Sequence, residues 1–346
     1  MAVRLSDVAS RAGVSVKTVS NVVSGYPYVS ASTRARVKEV LAELGYKPNL
    51  SARSLRGGRS GVIALAVPGL QPYFAELAGL VEREAEVAGY TLLVEETEGL
   101  SDREARVVKG VRAQLIDGLI FSPLALDGPA IASHRDATPL VLLGEEVPGG
   151  TVDHVAIDNV VAARGAVEHL VALGRRRVAA VGALRAASGD PARLRLKGYR
   201  AALSDAGLRA PRELVVRVRQ SCRLEGWTAA GRLMASGRRP DAIFAFNDML
   251  ALGVLRGLHD AGVRVPEDVA VVGFDDIEEG RFFVPSLTTV SPDKDEIARC
   301  AVGRLLSRLN GEVGAGQRNT VVPHHLVARE STLGKSGLAV GRSHAP

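Results

Sequence analysis

The sequence predicts an α/β protein made of an all-α head and a larger body with two doubly wound parallel sheets. The first 60 residues contain short amphipathic helix patterns separated by glycines. From residue 61 onward, strand-length apolar runs alternate with amphipathic helices, a pattern typical of parallel sheets covered by helices on both faces. The 346 residues also exceed one hydrophobic core, because domains typically run about 100–200 residues.

The overall composition indicates a globular protein without a membrane span. Apolar residues make up 46% and charged residues 24%, and the longest apolar runs, such as VIALAV at 62–67, are strand-length. The first residues lack the apolar core of a secretory signal, so we expect a cytoplasmic protein with no membrane partner. Two cysteines, Cys222 and Cys300, are too few for a disulfide framework and fit a reducing compartment.

Positive charge is concentrated in the head. Residues 1–60 hold ten Lys and Arg against three acidic residues, a net charge of +7. The other 286 residues hold 34 basic and 35 acidic residues, a net charge of −1. A basic head on a neutral body is expected of a small polyanion-binding module, although a charge run alone can also be a solvated face.

Three short helices are predicted in the head. The first follows a cap at Ser6 and ends at Gly13, the second follows a cap at Ser15, and the third begins after Ser30 or Ser32. Their apolar stripes are Leu5, Val8, Ala9 and Ala12, then Val19, Val22 and Val23, then Val37, Val40, Leu41 and Leu44, with Gly45 closing the third helix.

Two short helices joined by a glycine turn form a helix-turn-helix, whose second helix enters the DNA major groove with its first residues at the base edges. The residues that this second helix leaves outside its apolar stripe are Val16, Lys17, Thr18, Ser20 and Asn21. The alternative is a three-helix packing unit with no partner. The +7 charge of the head favours double-stranded DNA as the partner.

Three segments resemble the LacI/GalR family of bacterial transcriptional regulators, in the order expected of that family: LSDVASRAGVSVKTVSNVVSG, VSASTRARVKEVLAELGYKPN and ARSLRGGRSGVIALAVP. The resemblance covers residues 4–332. It implies a helix-turn-helix domain at 1–48, a hinge helix and linker at 49–60, and a bilobal, periplasmic-binding-protein-like effector domain at 61–332. The N-subdomain is expected at about 61–158 plus 291–320, and the C-subdomain at about 159–290 plus 321–332.

The resemblance also implies which head residues contact DNA. Base contacts are expected from Val16, Lys17 and Asn21, and phosphate contacts from Ser15, Thr18, Ser20 and Tyr28. The chemistry agrees, because a lysine can donate to guanine O6 and N7, an asparagine can pair with an adenine edge, and a valine can touch a thymine methyl. The family often has Arg where this chain has Asn21, so the operator of a relative does not transfer to this chain.

Residues 49–56 have helical spacing but are shorter than the roughly 12–15 residues that an isolated helix needs in water. The resemblance implies a hinge helix that forms when two copies meet in the minor groove, with Leu55 wedged into a base step. Ala52 would permit close helix approach, Arg53 and Arg56 would reach phosphates, and Asn49 belongs to the same segment. The alternative is a flexible linker ending in GGRSG.

The body is predicted to contain a long series of strands and helices. The strands are GVIALAVP, YTLLVEE, DGLIFSP, PLVLLG, VDHVAID, RRVAAVGA, ELVVRV, DAIFAFN, DVAVVGF, LTTVSP and TVVP. The helices are expected at 73–88, near 102–115, and at 160–173, 193–206, 222–236, 248–261 and 294–309. Ligands in such folds bind beyond the carboxyl ends of the strands, so loop residues there are the candidates.

Polar and aromatic residues in these loops suit a polyhydroxylated effector, since Arg and Asp can bind vicinal hydroxyls and a ring can stack on a sugar face. The candidates are Gln71, Tyr73, Phe74, Ser122, Arg195, Asn247 and Asp275. Arg195, Asn247 and Asp275 match effector positions of the resembled family, in R-x-x-G-Y, FND and GFDD. Relatives commonly have an aromatic residue where this chain has Ser221, and its absence favours a sugar or sugar derivative over a purine.

Several of these residues have structural alternatives. Asp158, Asp248 and Asp276 can each cap the helix or turn that follows it. Arg195 can be an ion-pair partner, and Trp227 can belong to the core instead of the cleft.

The sequence contains no recognisable enzyme motif. G-x-S-x-G, a Walker loop, H-E-x-x-H and Cys-x-x-Cys are all absent. His324 and His325 are adjacent, so in a strand they point to opposite faces and are poor metal co-ligands. Asp275 and Asp276 have no nucleophile or His nearby in sequence, so we expect neither catalysis nor a cofactor or metal.

Two classes of function fit these observations. The first is a ligand-controlled DNA-binding repressor, and the second is a sugar-binding protein of the periplasmic type. The missing export signal and the basic head favour the repressor. Residues 333–346 are expected to form a disordered tail without a leucine heptad, which favours a homodimer that reads a pseudo-palindromic site.

Overall fold

The computed structural model describes residues 3–23, 26–46, 59–110, 115–134, 138–144, 152–184, 191–237, 239–312 and 319–341. The chain divides into two compact units, residues 1–60 and 61–346. The first unit is helical and the second contains two six-stranded sheets, which confirms the predicted fold class. Within the described residues, no helix is long and apolar enough to cross a bilayer.

The head contains a helix-turn-helix followed by a third helix. Its helices are α1 Leu5–Ala12, α2 Val16–Val23 and α3 Ala31–Glu43. Its buried residues are Val8, Ala9, Ala12, Val19, Val22, Val37 and Val40, all on the predicted stripes. Gly13 has φ 64°, a left-handed conformation that glycine adopts at little cost, and this turn separates α1 from α2.

The N-terminal caps of α1 and α3 can be compared with the predicted ones. Helix α1 begins at Leu5, so the predicted Ser6 cap is wrong, because the Asp7 carboxylate accepts a hydrogen bond from the Arg4 amide at 2.8 Å and starts the helix earlier. Helix α3 is capped by Ser30 rather than Ser32, since the Ser30 hydroxyl accepts from the Thr33 amide at 3.3 Å.

The first sheet of the body is parallel. Its strands are β1 Val62–Val67, β2 Thr91–Glu96, β3 Gly118–Phe121, β4 Leu140–Leu143, β5 Asp153–Ala156 and β11 Asn319–Val321. Their order is β11-β5-β4-β3-β1-β2. Helices α4 Pro72–Val87 and α12 Lys294–Leu309 cover one face, and α5 Ser101–Val108 and α6 Gly128–His134 cover the other. This sheet with its helices is the N-subdomain.

The second sheet is parallel except at one edge. Its strands are β6 Val178–Leu184, β7 Val215–Val218, β8 Ala242–Ala245, β9 Ala270–Phe274, β10 Thr288–Pro292 and β12 His324–Val327, in the order β12-β10-β9-β8-β6-β7 with β12 antiparallel. Helices α7 Asn159–Ala172 and α8 Pro191–Asp205 cover one face, and α9 Arg223–Ala235 and α10 Asp248–Asp260 cover the other. This sheet with its helices is the C-subdomain.

The chain passes between the two sheets after β5, after β10 and after β11. Strand β10 extends to Pro292, so that crossover follows the predicted boundary at residue 291. Because the crossovers and the carboxyl ends of many strands lie at one edge of each sheet, the loops that follow the strands line a cleft between the subdomains.

Two glycines bring α9 and α10 into backbone contact. A Cβ on Gly226 would lie 2.1 Å from the Leu250 carbonyl oxygen, and one on Gly253 would lie 1.9 Å from the Arg223 carbonyl oxygen. Only glycine permits this approach. The start of α10, where Asn247 lies, is beside Ser221.

Some elements differ from those predicted. Helix α5 ends at Val108 because Gly110 turns with φ 68°, and the short helices α6 and α11 Glu279–Phe282 were not predicted. Residues 333–341, predicted to be a disordered tail, instead continue helix α13 Glu330–Gly341, which is interrupted at Gly334. Its start is anchored by Ser331, whose hydroxyl donates to the Val271 carbonyl oxygen of β9 at 2.7 Å.

Candidate functional sites

Helix α2 presents a polar surface away from the head core. Val16 has 42% of its surface exposed and Lys17 is exposed, while Thr18, Ser20 and Asn21 are partly exposed. The opposite face of α2 buries Val19 and Val22. The predicted base-reading residues Val16, Lys17 and Asn21 therefore share the accessible side of the helix.

The predicted phosphate-contacting residues flank this surface. The Ser15 hydroxyl caps α2 by accepting from the Thr18 amide at 3.1 Å, and the two hydroxyls lie 2.9 Å apart. Tyr28 is 85% exposed and meets the ring of Tyr26 edge-on at 5.5 Å. Ser20 is partly exposed on α2. The hinge residues Asn49, Ala52, Arg53, Leu55 and Arg56 lie outside the described residues.

In the body, Arg195 of α8 is held by contacts from several elements. Its Nε donates to the Asn159 side-chain oxygen at 2.8 Å, and an Nη donates to the Phe246 carbonyl oxygen. Its guanidinium lies 3.5 Å from the centroid of the Phe274 ring, a stacking geometry that fixes the plane of the group. Arg195 is therefore preorganised at the carboxyl ends of β8 and β9.

Asp275 follows β9 directly and faces Arg195. Its Oδ1 lies 3.9 Å from an Arg195 Nη, and both side chains are 13% exposed. The residue has φ 115°, a conformation unusual for a side chain other than glycine. Burial raises the pKa of Asp275 to about 6, while the charges of Arg195 and Lys294 oppose the shift and Glu76 adds to it. At neutral pH the side chain is thus an ionised but poorly solvated acceptor.

Tyr73 approaches the same groups from the N-subdomain. It packs against the cores of both subdomains and meets the Phe74 ring at 5.1 Å in an edge-to-face arrangement. Burial, reinforced by the negative charge of Asp275, raises the pKa of the Tyr73 phenol above its ordinary value. Tyr73, Arg195 and Asp275 are therefore brought together, as expected of a common site.

Three other candidates lie at the carboxyl edge of the sheets. Gln71 is exposed at the start of α4, which begins with Pro72, a residue that needs no amide hydrogen in the first turn. Phe74 is partly buried against the N-subdomain core. Ser122 is buried just after β3, with its amide donating to the Ala66 carbonyl oxygen at 2.9 Å.

Asn247, rather than Asp248, caps α10. The Asn247 side-chain oxygen accepts from the Leu250 amide at 2.9 Å, and its Nδ2 donates to the Ser221 carbonyl oxygen at 3.5 Å. Asp248 is fully buried and accepts from the Thr289 hydroxyl at 2.7 Å and the Ile277 amide at 3.0 Å. The cap predicted at Asp248 is wrong because its carboxylate turns inward to anchor the loop that follows β9.

The two remaining aspartates have structural roles. Asp158 caps α7 by accepting from the Val160 and Val161 amides, as the alternative predicted. Asp276 is not a simple turn cap, because it accepts from Arg329 at 2.6 Å and from the Ser291 hydroxyl at 3.1 Å. Burial acts to raise the pKa of Asp276, but the Arg329 hydrogen bond and charge outweigh it and hold the pKa below its ordinary value.

Trp227 does not belong to the core. It is 46% exposed on α9, and its Nε1 donates to the Asp260 carboxylate at 2.9 Å. Ser221 is partly buried beside Asn247, so no aromatic ring stands at that position. The two cysteines are free thiols, and the described part of the chain holds no group of three or more His, Cys, Asp and Glu able to bind a metal ion.

The structure adds cleft residues that sequence reasoning missed: Glu76, Asn159, Phe274 and Lys294. Asn159 and Phe274 hold Arg195, and a search of the residues bordering each strand end would have included them. Glu76 and Lys294 form an ion pair although they are 218 residues apart, and no local pattern signals such a pair.

Comparison with known proteins accounts for both units. A family model of the bacterial regulatory proteins of the lacI family matches residues 4–49, and a model of the periplasmic binding protein-like domain matches residues 167–332. The ribose operon repressor of Escherichia coli is 33% identical, covering 92% of this chain and 97% of its own length.

Solved structures of regulators have the same architecture. The lac repressor dimer bound to operator and the anti-inducer ONPF is 30% identical with a TM-score of 0.83, covering 96% of this chain and 99% of that chain. The transcriptional regulator CelR in complex with cellobiose is 32% identical with a TM-score of 0.71, covering 95% of this chain and 99% of that chain. These relatives are transcriptional regulators and not enzymes. The chain therefore belongs to the LacI family of DNA-binding bacterial regulatory proteins.

Proposed function

We propose that the protein is a transcriptional repressor that binds a pseudo-palindromic operator as a homodimer and responds to a sugar or sugar derivative. The observation that carries the proposal is the Arg195–Asp275 pair, 3.9 Å apart in the body of a chain whose head exposes α2. The basic head disfavours the alternative of a bilobal sugar-binding protein without DNA regulation. A protein with this role acts in the bacterial cytoplasm, where its operator is.

The head is proposed to read DNA through α2. Lys17 and Asn21 would donate to base edges in the major groove, and Val16 would contact a thymine methyl. Their common exposure on one side of the helix supports this assignment. Ser15, Thr18, Ser20 and Tyr28 would bind phosphates and set the orientation of the helix.

The hinge is proposed to order only on DNA. Asn49, Ala52, Arg53, Leu55 and Arg56 would form a short helix that pairs with its copy in the minor groove, with Leu55 as the wedge. Because folding of this segment is coupled to binding, anything that separates the two copies lowers operator affinity.

The effector is proposed to bind between Arg195, Asp275 and Tyr73. A fixed guanidinium donor beside a carboxylate acceptor can bind two adjacent hydroxyls, and the Tyr73 and Phe74 rings offer an apolar wall for the sugar. Gln71, Ser122 and Asn247 would complete the contacts. Two relatives, a ribose operon repressor and the regulator CelR in complex with cellobiose, support this ligand class.

The charges of the cleft favour an uncharged sugar over a sugar phosphate. Arg195 is balanced by Asp275, and Lys294 is balanced by Glu76. A phosphate bound beside Tyr73 would lie near the carboxylates of Asp275 and Glu76, which repel it, and both nearby cations are already paired with these carboxylates.

The homodimer is proposed to form through an apolar surface of the C-subdomain. This surface consists of Leu224, Trp227, Phe282, Phe283 and Val284, all exposed. An ion pair at 3.6 Å between Arg223 and Glu279 links α9 and α11, the two helices that carry or adjoin these residues. Contiguous exposed apolar residues of this kind mark interaction sites.

Control is proposed to follow from cleft closure. A sugar that binds both subdomains favours the closed cleft, and the accompanying rotation would separate the paired hinges and release the operator. The effector would thus lower operator affinity through its tighter binding to the closed form.

The test is selection of genomic fragments by the purified full-length protein at a stated, near-physiological salt concentration, followed by sequencing. We expect one pseudo-palindromic site to be enriched. Adding a panel of neutral sugars and their phosphates to the selected site should then release the protein with a neutral sugar. Recovery of fragments without a common sequence, with sugar binding intact, would instead favour the sugar-binding alternative.

A further inference from the structure

One carboxylate ties the N-subdomain to the opposite side of the cleft. The Glu76 Oε1 accepts a hydrogen bond from the Glu278 amide at 3.1 Å, and its Oε2 is paired with the Lys294 ammonium. Glu76 lies on α4, which covers the first sheet, whereas Glu278 lies in the loop after β9 of the second sheet. Glu76 therefore bonds directly to a backbone group of the other subdomain.

Lys294 strengthens this connection from the crossover after β10. Its ammonium also donates to the Asp276 carbonyl oxygen at 2.8 Å, so it joins Glu76 to the loop after β9 a second time. Its side chain is 12% exposed and that of Glu76 is 33% exposed. Because both charges are partly desolvated, loss of one leaves the other poorly compensated.

These bonds border the effector residues. The Lys294 ammonium lies 5.8 Å from the centroid of the Tyr73 ring, and Tyr73 is one helical turn before Glu76 on α4. Asp275 immediately precedes the residue whose carbonyl Lys294 holds. The bonds of Glu76 and Lys294 therefore connect the two proposed walls of the site.

Among the residues that the structure describes, the other ion pairs of the body each lie within one subdomain. Arg308 binds Asp153 at 2.7 Å within the N-subdomain, and Arg164 binds Glu168 at 2.6 Å within α7 of the C-subdomain. Each pair lies within one subdomain, so we expect that breaking it leaves the width of the cleft unchanged. This contrast provides a matched control.

We propose that Glu76 and Lys294 form a latch that limits how far the two subdomains move apart in the ligand-free protein and positions the Asp275 loop against Tyr73. The latch needs no ligand, while its effect on sugar affinity rests on the proposed function. Both residues act as positioning residues, since they set the distance between the walls of the cleft.

The experiment measures cleft width by pulsed electron paramagnetic resonance in the ligand-free, full-length protein. Spin labels react with cysteines introduced by Asp102→Cys at the start of α5 and Arg193→Cys at the start of α8. The two native cysteines are replaced by Cys222→Ser and Cys300→Ser. Both label sites are exposed. Labelled protein is diluted with unlabelled protein so that distances between copies do not contribute.

We expect Glu76→Ala and Lys294→Met each to shift the distance distribution to longer or broader values. Glu76→Gln, which keeps an acceptor for the Glu278 amide, should fall between them and the unsubstituted protein. Glu168→Gln, which breaks the pair within α7, should leave the distribution unchanged. Circular dichroism of each variant identifies any that does not fold.

Identical distributions in the folded Glu76→Ala, Lys294→Met and Glu168→Gln proteins would overturn the latch, because packing at Tyr73 would then suffice. The measurement contains neither DNA nor sugar. Its outcome is therefore independent of whether the protein is a sugar-controlled repressor.

Discussion

The guanidinium of Arg195 lies 3.5 Å from the centroid of the Phe274 ring. It also lies 3.9 Å from the carboxylate of Asp275, the residue after Phe274. The end of β9 thus supplies both a stacking surface and a counter-charge to the same arginine. Asn159 fixes the Nε of that arginine at 2.8 Å. Because the side chain is oriented before any ligand arrives, little conformational freedom remains to be lost on binding.

Arg195→Lys should therefore impair effector binding specifically. A lysine cannot stack a planar group on Phe274 or donate two parallel hydrogen bonds, so we expect sugar affinity to fall by at least about tenfold. Operator affinity without sugar should be unchanged. Calorimetry with the sugar found in the panel measures the first quantity, and Arg193→Lys on the exposed side of α8 is the control. Equal sugar affinities of Arg195→Lys and Arg193→Lys would show that Arg195 does not bind the sugar.

The raised pKa of Asp275 predicts a pH-dependent contribution to stability. Its folded pKa is about 6 against 3.8 for the unperturbed group, so the folded state holds the proton more tightly than the unfolded chain. The contribution of Asp275 to the free energy of unfolding is therefore complete below the unperturbed pKa of 3.8 and is lost as the pH rises through about 6. Relative to Asp275→Asn, the unsubstituted protein should lose about 3 kcal/mol of unfolding free energy between about pH 3 and pH 7.

Urea unfolding of both proteins across this pH range measures the difference, and titrating groups that do not interact with Asp275 cancel in the comparison. Asp268→Asn is the control with the opposite sign. The Arg264 hydrogen bond lowers the pKa of Asp268 to about 2, so its contribution to stability is present at high pH and is lost on acidification. A pH-independent difference for Asp275→Asn would show that the carboxylate is solvated.

Glu104 should be among the most sensitive positions of the N-subdomain. This fully buried carboxylate on α5 accepts hydrogen bonds from three successive amides, those of Leu124, Ala125 and Leu126, at 2.8, 3.0 and 2.8 Å. Glu104→Ala leaves these amides without an acceptor, each at a cost of about 1–3 kcal/mol.

We expect Glu104→Ala to lower the free energy of unfolding by on the order of 3 kcal/mol, measured by urea unfolding. Hydrogen exchange at the three amides should accelerate, because they lose their acceptor. Glu82→Ala, on the exposed side of α4, should change stability by less than about 0.5 kcal/mol. A comparable result for both variants would mean that water replaces the carboxylate.

Sequence reasoning succeeded where a residue's role depends on its neighbours along the chain. The stripe Val8, Ala9 and Ala12 follows from helical periodicity, and Asp275 could be placed beyond a strand end because it follows an apolar strand pattern directly. It failed where partners are distant. Glu104 binds amides 20–22 residues away, and Glu76 pairs with Lys294 across 218 residues.

Errors of a different kind arose where two similar residues compete locally. Asn247 and Asp248 are both good caps, and only the tertiary position of Thr289 and Ile277 draws the Asp248 carboxylate inward. Trp227 has a side chain typical of a core, but its Nε1 bonds to the surface carboxylate of Asp260. Helix periodicity does not predict the inward turn of the Asp248 carboxylate or the surface position of Trp227.

Lys17 should contribute to sequence discrimination and not only to general DNA affinity. Its exposed position on α2 places it to donate to a base edge, so Lys17→Ala should weaken specific binding by about 1–3 kcal/mol and relax the preference at one operator position. Lys38 is exposed on α3, and Lys38→Ala removes the same charge there. It should weaken binding to all DNA sequences equally. Competition binding on the selected operator and its single-base variants separates the two effects. If Lys17→Ala and Lys38→Ala give the same specificity profile, Lys17 contacts the DNA phosphate backbone and not a base.

The apolar surface of the C-subdomain should govern self-association. Phe282 is 76% exposed in the single chain, so Phe282→Asp changes nothing inside the core but places a charge where two copies are proposed to meet. We expect sedimentation to show monomers, with operator affinity reduced because one head contacts only half of the site. Val321→Asp, an equally exposed apolar position on β11 of the other subdomain, should remain dimeric. If Phe282→Asp sediments as a dimer and Val321→Asp does not, the two copies meet through the N-subdomain instead.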